Sequence, residues 1–387
     1  MIARAEFRRQ KSGVRINQRC VAYILTSDLC LLNSVVVIPQ SKGVRVDKKR
    51  QDALLLAGAG VGALLGLRAA LRKRREFDFS GRTVLITGGS RGLGLVLARE
   101  LAGEGARLSI CARDPRELER ARADLVGRGA EVLAFPCDVT DMTQVQEWVR
   151  VSEDHFGGVD VLVNNAGVIQ VGPVEVMTLA DYEEAMRIHF WAPLYTTLAV
   201  LPAMRRRRRG RIVNVSSIGG KIGVPHLVPY SASKFALVGL SEGLRAELGK
   251  DGIVVTTVCP GLMRTGSPTN ATFKGQHRAE YAWFSITDSL PVSTIQAERA
   301  ARQIIAGCRR GDAEVILSIQ AVVAIKFHQL FPELSADLRG LVHRLLPAAG
   351  GIGRRRAKGR DSHSELSPSW LTALGDEAAK RNNEIKT

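Results

Sequence analysis

The 387-residue chain has few of the residues that mark a metal protein or a disulfide-stabilised one. Its six cysteines are Cys20, Cys30, Cys111, Cys137, Cys259 and Cys308. No spacing among them matches a metal site or a disulfide framework. We therefore predict no metal and, because free thiols persist in reducing compartments, a cytoplasmic setting for the folded core.

Acidic residues are also scarce, with 38 Asp and Glu against 55 Lys and Arg, which gives a formal charge of +17. Much of this excess lies at the ends of the chain, so it says little about the substrate of the central part. Five consecutive arginines, 205–209, are expected in a loop between a helix and a strand. Nucleic-acid sites stack bases on aromatic side chains, and none accompanies this run. We predict no nucleic-acid partner.

No part of the N-terminal region has the run of about 20 apolar residues that a typical membrane helix needs. Residues 53–67 carry no charge, but Arg68 follows, and then the basic residues 72–75. If Arg68 extends its charge towards the interface, a thin span is possible. We interpret 51–75 as a membrane-anchor-like helix whose basic flank places the domain that follows it in the cytoplasm. A soluble helix packed on the domain is the alternative.

A glycine-rich motif is the first positive feature. TGGSRGLG, from Thr87 to Gly94, follows the apolar run 84–86. A strand that turns into a helix with free N–H groups can bind a pyrophosphate. Gly88 allows a turn closed to residues with a side chain. Gly92 lets phosphates approach the backbone, and Gly94 lets the helix pack on the strand. The motif predicts dinucleotide binding.

Three later residues predict redox chemistry on a carbonyl or alcohol. Tyr230 and Lys234 are four apart, so a helix places them on one face. A nearby ammonium favours the phenolate and brings the tyrosine pKa closer to the working pH. Ser217 follows the apolar run 211–215, and its hydroxyl can hold a carbonyl oxygen at Tyr230.

From Gly81 to about Leu317 the chain resembles the compact, single-domain short-chain dehydrogenases/reductases. The motifs TGxxxGxG, NNAG at 164–167, YxxxK at 230–234 and PG…T at 260–265 occur in the usual order. The resemblance implies a Rossmann-type, doubly wound α/β domain over 80–319, with a mainly parallel sheet of about seven strands. It also implies substrate binding at the carboxyl ends of the strands and a homo-oligomer, either a dimer or a tetramer.

The cofactor is expected to be NADP(H). The NAD version of the fold has an acid after the second strand, whereas Ala112 and Arg113 follow that strand here. Arg91 and Arg113 can clamp a 2′-phosphate. The motifs and the resemblance together give the expected cofactor-binding residues: Gly88, Ser90, Arg91, Gly92, Leu93, Gly94, Arg113, Asp138, Val139, Asn165, Ala166, Gly167, Tyr230, Lys234, Pro260, Gly261 and Thr265.

One position departs from the family pattern. His189 stands where the family usually has an asparagine linked to a proton relay that ends at the lysine. His189 is either a structural replacement or part of a modified relay, in which case it joins Ser217, Tyr230 and Lys234 as a catalytic residue.

The two ends of the chain are harder to interpret. Residues 1–50 form an uncertain extension to which we assign no fold. Within 320–349, the stretches 321–331 and 338–346 have the pattern of two short amphipathic helices. They are expected to pack on the domain, although such helices can also rest on a membrane. From residue 350 the composition indicates a disordered tail with a short helix near its end.

The expected function is NADPH-dependent reduction of a ketone or aldehyde to an alcohol, or the reverse. An apolar or lipid-like substrate is favoured by the anchor-like segment and by Trp283 and Phe284 in the region expected to cover the pocket. Two alternatives stay open: an NADP-binding sensor or scaffold that has lost catalysis, and a reductase of 3-oxoacyl thioesters. The enzyme is expected at a membrane, with its catalytic domain in the cytoplasm, or otherwise free in the cytoplasm.

Overall fold

The computed structural model describes residues 75–289, 294–364 and 372–384, together with Ser367, Ser369 and scattered positions between 56 and 73. By its contacts the chain divides into the units 1–65 and 66–387. The uncertain extension 1–50 and much of the anchor-like segment 51–75 lie outside the described residues. Within the described part, no helix is both long enough and apolar enough to cross a membrane.

A seven-stranded parallel sheet runs through the middle of unit 66–387. The described strands are β1 Thr83–Thr87, β2 Arg107–Ala112, β3 Val132–Pro136, β4 Val161–Asn164, β5 Gln170–Val171, β6 Gly210–Val215, β7 Ile253–Pro260, β8 Leu262–Arg264, β9 Thr272–Phe273, β10 Thr294–Gln296, β11 Glu314–Leu317 and β12 Ala357–Lys358. The order of the strands in the sheet is β3-β2-β1-β4-β6-β7-β11. Helices cover both faces of the sheet, so β1 is buried along its whole length and its three central residues, 84–86, are apolar. The expected doubly wound α/β fold is confirmed.

The described α-helices are α1 Gly92–Gly103, α2 Pro115–Gly127, α3 Met142–Phe156, α4 Leu179–Met186, α5 Ala192–Arg207, α6 Val228–Leu248, α7 Ser267–Asn270, α8 His277–Ser289, α9 Ala297–Arg310, α10 Ile319–Leu330, α11 Pro332–Leu345 and α12 Ala373–Arg381. Each face of the sheet has its own core. One core contains side chains of α1, α2 and α9, and the other contains side chains of α3, α5 and α6. This layering leaves the carboxyl ends of the strands free to carry a site.

The starts of the helices differ in a way that matters for the site. Asp114 caps α2 by accepting hydrogen bonds from the N–H groups of Arg116 and Glu117, and Asp141 caps α3 in the same manner. The residue before α1 is Arg91, whose side chain makes no capping hydrogen bond. The first N–H groups of α1 are therefore left for another acceptor.

The arginine run 205–209 differs from the expected loop, because Arg205 to Arg207 form the last turn of α5. Basic side chains are favourable at the C-terminal end of a helix dipole. Arg205 pairs with Asp251 at 2.9 Å, and Arg209 pairs with Asp160 at 3.1 Å. The run therefore fixes neighbouring loops of the domain.

The two amphipathic helices predicted after the core are α10 and α11. The second begins at Pro332, earlier than expected, because proline is accepted in the first turn of a helix. Ala321, Ile325 and Ser335 form their buried side. Large apolar side chains remain exposed on the rest of the pair: Ile319, Val323, Phe331, Leu334, Leu338, Leu341, Val342 and Leu345.

The disorder expected from residue 350 does not match the described parts of that segment, 350–364 and 372–384. β12 pairs with β9, and the expected terminal helix is present as α12. α12 buries Ala378 and Ala379, and Asn382 just beyond it is fully buried. Composition alone suggested disorder because the apolar contacts of this segment are few and come from distant parts of the chain.

Candidate active site

The glycine turn between β1 and α1 has the geometry that its glycines permit. Gly88 and Gly92 have φ values of +65° and +54°, which residues with a side chain rarely adopt. At Gly94 an added Cβ would lie 2.1 Å from the carbonyl oxygen of Gly88, so only glycine fits. Ser90 and Leu93 are buried within the turn. An uncapped helix start behind a close-packed glycine turn suits a pyrophosphate.

The NNAG segment holds this turn in place. The amide of Asn165 donates to the carbonyl oxygens of Thr87 at 3.1 Å and of Gly88 at 3.2 Å. The backbone N–H groups of Asn165 and Ala166 both donate to the hydroxyl of Thr87. Asn165 and Ala166 therefore shape the turn from the neighbouring strand, a contact that their separation in sequence does not reveal.

Ser217, Tyr230 and Lys234 come together at the carboxyl ends of β6 and β7. An added Cβ at Gly219 would lie 3.2 Å from Cε1 of Tyr230 and 3.5 Å from Oγ of Ser217, so the two side chains meet at this glycine. A hydrogen bond joins Ser217 and Tyr230. Nζ of Lys234 lies 5.7 Å from the centre of the Tyr230 ring and donates to the carbonyl oxygen of Val215 at 2.8 Å.

Burial acts on the two titrating groups in opposite directions. It raises the pKa of Tyr230 above its ordinary value, opposed by the hydrogen bond from Ser217. It lowers the pKa of Lys234 to about 7. Desolvation is the largest cause of the Tyr230 shift, Asp288 and Cys259 raise the pKa further, and Lys234 is not among the groups that act on it. The lowering of the tyrosine pKa by Lys234 therefore stays a prediction.

His189 lies in a π-helical turn, Arg187–Trp191, and is 1% exposed. Its Nε2 accepts a hydrogen bond from the N–H of Val168 at 3.1 Å. The ring proton must then sit on Nδ1, 2.8 Å from Oγ of Ser233, which itself donates to the carbonyl oxygen of Tyr230. Burial holds the pKa of His189 well below its usual range, and the charge of Lys234 lowers it further.

The expected nicotinamide end is built from the loop after β7. Pro260 ends the strand, and the N–H of Gly261 donates to the carbonyl oxygen of Leu317. Thr265 is buried, with its hydroxyl 2.7 Å from that of Ser267. Gly167 faces His189, since an added Cβ there would lie 3.1 Å from its Nε2. These residues line the same edge of the sheet as the glycine turn.

The expected adenosine end contains a cavity of about 690 Å³. It is lined by Asp138 and by a set of cationic side chains: Arg113, Arg187, Lys274, Arg354 and Arg356. The carboxylate of Asp138 accepts two hydrogen bonds from Thr140, and the adjacent Val139 is buried.

Ion pairs neutralise only part of this positive charge. Lys274 pairs with Asp181, and Arg356 pairs with both Asp181 and Glu184. In the described part of the chain, no ion pair involves Arg113 or Arg354. Arg91 is engaged by both carboxylate oxygens of Glu117, at 3.0 and 3.1 Å. An anion in this cavity would therefore meet Arg113 and Arg354 before Arg91.

An apolar cluster adjoins Tyr230. Its buried members are Val171, Leu227, Ala271, Phe273, Tyr281 and Phe284, and Ile169, Val224, Tyr230 and Trp283 pack against them. Side chains of α8 thus belong to the same apolar cluster as Tyr230. The expectation that Trp283 and Phe284 cover a substrate pocket stays a prediction.

The motifs did not reveal three features of the site: Ser233, Arg354 and the segment 381–384. Ser233 lies inside YSASK, where a histidine at 189 is the only signal that it has a partner. Arg354 and residues 381–384 belong to the segment interpreted as disordered, and they reach the site only through the fold.

The comparisons with known proteins agree with this geometry. Residues 82–274 match the family model described as short chain dehydrogenase. Dehydrogenase/reductase SDR family member 7B of Danio rerio is 32% identical over 286 residues, covering 72% of this chain and 91% of that protein. This chain belongs to the short-chain dehydrogenase/reductase family.

Two other family members illustrate the range of similarity. A putative ketoacyl reductase of granaticin polyketide synthesis from Streptomyces violaceoruber is 42% identical over 183 residues, 47% of this chain and 67% of that protein. A solved short-chain dehydrogenase from Streptomyces avermitilis superposes with a TM-score of 0.59 at 30% identity, covering 68% of this chain and 97% of that one. Short-chain dehydrogenases act on CH–OH or C=O groups with a nicotinamide cofactor, and the glycine turn, whose helix start has no side-chain cap, fits one.

Proposed function

We propose that this protein is an NADPH-dependent reductase of apolar ketones or aldehydes, and that it can also catalyse the reverse reaction. The observation that carries the proposal is the meeting of Ser217 and Tyr230 at Gly219, with Lys234 beneath the tyrosine ring. These groups lie on the same sheet edge as a glycine turn shaped for a pyrophosphate. The three proposed catalytic residues and the proposed cofactor site therefore lie in one cleft.

In this proposal the chain handles the proton while the nicotinamide, when bound, supplies the hydride. The hydroxyl of Ser217 donates a hydrogen bond to the carbonyl oxygen and holds it at Tyr230. Tyr230 transfers its phenolic proton to that oxygen as the general acid. Lys234 stabilises the phenolate that remains, because an ammonium favours the charged form of a neighbouring acid.

The preference for NADPH rests on the cationic cavity. Arg113 lies there with Arg354, and neither has a carboxylate partner among the described residues. A 2′-phosphate forms charge-assisted hydrogen bonds with such groups. Burial lowers the pKa of Lys358, Glu184 raises it, and Arg113 and Arg91 lower it further, so Lys358 lies close to both arginines.

The experiment is oxidation of NADPH and NADH by the purified full chain across ketones, aldehydes and 3-oxoacyl thioesters, with Tyr230→Phe as the control. Turnover with NADPH that disappears in the variant supports the reductase. NADPH binding without turnover of any substrate would favour the catalytically silent sensor. A preference for NADH would contradict the roles given to Arg113 and Arg354.

A second candidate is reduction of a 3-oxoacyl thioester. It is favoured by the 42% identity to a protein named as a putative ketoacyl reductase. The reaction at Tyr230 is the same, so only the substrate differs. Turnover of an acyl thioester without turnover of free ketones of equal chain length would select this candidate.

We further propose that the enzyme forms a dimer or tetramer and is attached to a membrane through residues 51–75. Flotation of the full chain with liposomes tests the attachment, with a chain that begins at Phe77 as the control. Light scattering of that shorter chain tests the assembly.

A further inference from the structure

The segment that follows α12 lies on the glycine turn. The carbonyl oxygen of Asn382 accepts a hydrogen bond from the N–H of Gly92 at 2.9 Å. Gly92 is the first residue of α1, the helix whose start has no side-chain cap. The tail of the chain therefore uses a donor that a pyrophosphate would need.

Asn383 makes a second attachment to the same turn. Its side-chain amide donates to the carbonyl oxygen of Ser90 at 2.8 Å and to that of Glu117 at 3.1 Å. Nε of Arg120 donates to the Asn383 amide oxygen at 2.8 Å. The φ of Asn383 is 59°, a left-handed conformation that asparagine tolerates better than most residues. These contacts fix a bend that directs the next residue into the cleft.

Glu384 fills the space between the two cofactor motifs. One carboxylate oxygen accepts a hydrogen bond from the N–H of Gly266, next to Thr265. The other lies 2.9 Å from the position of an added Cβ on Gly92. The side chain of Glu384 thus bridges the glycine turn and the expected nicotinamide loop. A dinucleotide crossing from one motif to the other would occupy the same volume.

The tail is also anchored outside the cleft. Nη1 of Arg99 donates to the carbonyl oxygen of Arg381 and to the side-chain oxygen of Asn382, both at 3.2 Å. Asn382 is fully buried, and an added Cβ on Gly266 would lie 2.6 Å from the Cβ of Ala379. A docked segment with this many contacts has its own binding free energy, which a ligand for the same place must overcome.

We propose that residues 381–384 are an intramolecular ligand of the cofactor cleft, so that NADPH binds only when this segment leaves. The proposal rests on the proposed function, because it takes the glycine turn to be the pyrophosphate site. It makes the C-terminal segment a built-in competitor whose release raises affinity for the cofactor.

The test compares NADPH binding by the full chain with binding by a chain that ends at Lys380. Binding is followed by NADPH fluorescence, without substrate. If the docked form makes up about 90% of the cofactor-free protein, the shortened chain binds about tenfold more tightly, because the competent fraction scales the apparent Kd. Glu384→Ala combined with Asn383→Ala shifts the Kd in the same direction without deleting residues. Lys380→Ala, an exposed side chain on α12, is the matched control and leaves the Kd unchanged.

A synthetic peptide of residues 376–384 gives an independent measurement. Added to the shortened chain, it raises the apparent Kd for NADPH in a competitive manner, whereas a scrambled peptide does not. An equal or weaker affinity after shortening would overturn the proposal, and weaker affinity would make the tail part of the cofactor site. If no variant binds NADPH at all, the cofactor assignment fails as well, so the two failures can be told apart.

Discussion

The Nδ1 atom of His189 lies 2.8 Å from the hydroxyl oxygen of Ser233, one residue before Lys234. Ser233 donates in turn to the carbonyl oxygen of Tyr230, while Nε2 of His189 is held by Val168. Both ring nitrogens therefore have partners within the protein. The histidine joins the loop after β4 to the first turns of α6, and this favours the structural interpretation of His189 over a titrating relay.

His189→Asn is expected to keep kcat within a few fold and to leave the shape of the pH–rate profile unchanged. The reason is that a histidine with so low a pKa does not titrate in the working range. His189→Ala should lower the free energy of unfolding by about 1–3 kcal/mol, because the N–H of Val168 loses its acceptor. Steady-state rates from pH 6 to 9 and urea unfolding measure the two effects. A change in the shape of the pH–rate profile of His189→Asn would instead support the modified proton relay.

Tyr230→Phe should reduce kcat by about 10²- to 10⁴-fold, the usual contribution of a general acid, with little change in NADPH affinity. The variant keeps the ring and its edge-to-face contact with His189 and loses only the hydroxyl. Rates on the best ketone of the panel and an NADPH titration separate the two quantities. Trp283→Phe, in the same apolar cluster, serves as a packing control and should keep a measurable rate.

Arg113→Ala and Arg354→Ala should each raise the KM for NADPH about 10- to 100-fold and leave the KM for NADH nearly unchanged. Each removes a charge-assisted hydrogen bond to the 2′-phosphate, about 1.5–3 kcal/mol. Arg355→Ala is the matched control, because Arg355 is exposed and does not line the cavity. Arg91→Ala should have a smaller effect, since Arg91 is already paired with Glu117. An equal rise in KM for NADPH and NADH would show that these arginines do not recognise the 2′-phosphate.

Because of Lys234, the free energy of unfolding should change with pH in the alkaline range. Burial lowers its pKa to about 7 from an ordinary value of 10.5. Between these values the unfolded chain binds more protons than the folded one, so the free energy of unfolding rises with pH. Below about 7 both states are protonated and the full cost of burying the charge remains. Urea unfolding of wild type and Lys234→Met at pH 7 and 9 tests this. From pH 7 to pH 9 the free energy of unfolding should rise more for wild type than for the variant. Parallel curves would mean that the lysine is charged in the folded state throughout.

Docking of the tail should weaken as pH rises through about 7. Burial raises the pKa of Glu384 to about 7, against the hydrogen bond from Gly266. The charged groups that act on it are Arg91, which lowers the pKa, Glu117, which raises it, and the buried Asp288. A raised pKa means that docking is strongest below the ordinary carboxyl range and is lost at higher pH. The ratio of NADPH Kd values between the full chain and the chain ending at Lys380 should fall from pH 6 to pH 8. Glu384→Gln, which cannot ionise, should give the same ratio at both pH values.

The fold class was accessible from sequence because its signals are local. A run such as 84–86 is apolar throughout since both faces of β1 are covered, and Gly88 and Gly94 occur where backbone sterics leave no other choice. The four-residue spacing of Tyr230 and Lys234 places both on one helical face without any tertiary information. These features depend on residues that are close together in the sequence, so the amino-acid sequence alone is enough to predict them.

The tertiary structure determined the pKa values and hydrogen bonds that depend on residues far apart in the sequence. Burial, which no local pattern reports, raises the pKa of Tyr230 and lowers that of Lys234. Glu117 engages Arg91 and leaves Arg113 with Arg354 at the cavity, although Arg354 is more than two hundred residues further along the chain. The segment after α12 has the composition of a disordered tail, yet Asn382 accepts the hydrogen bond of Gly92. Desolvation and long-range hydrogen bonds are set by which surfaces meet, and only the folded chain brings those surfaces together.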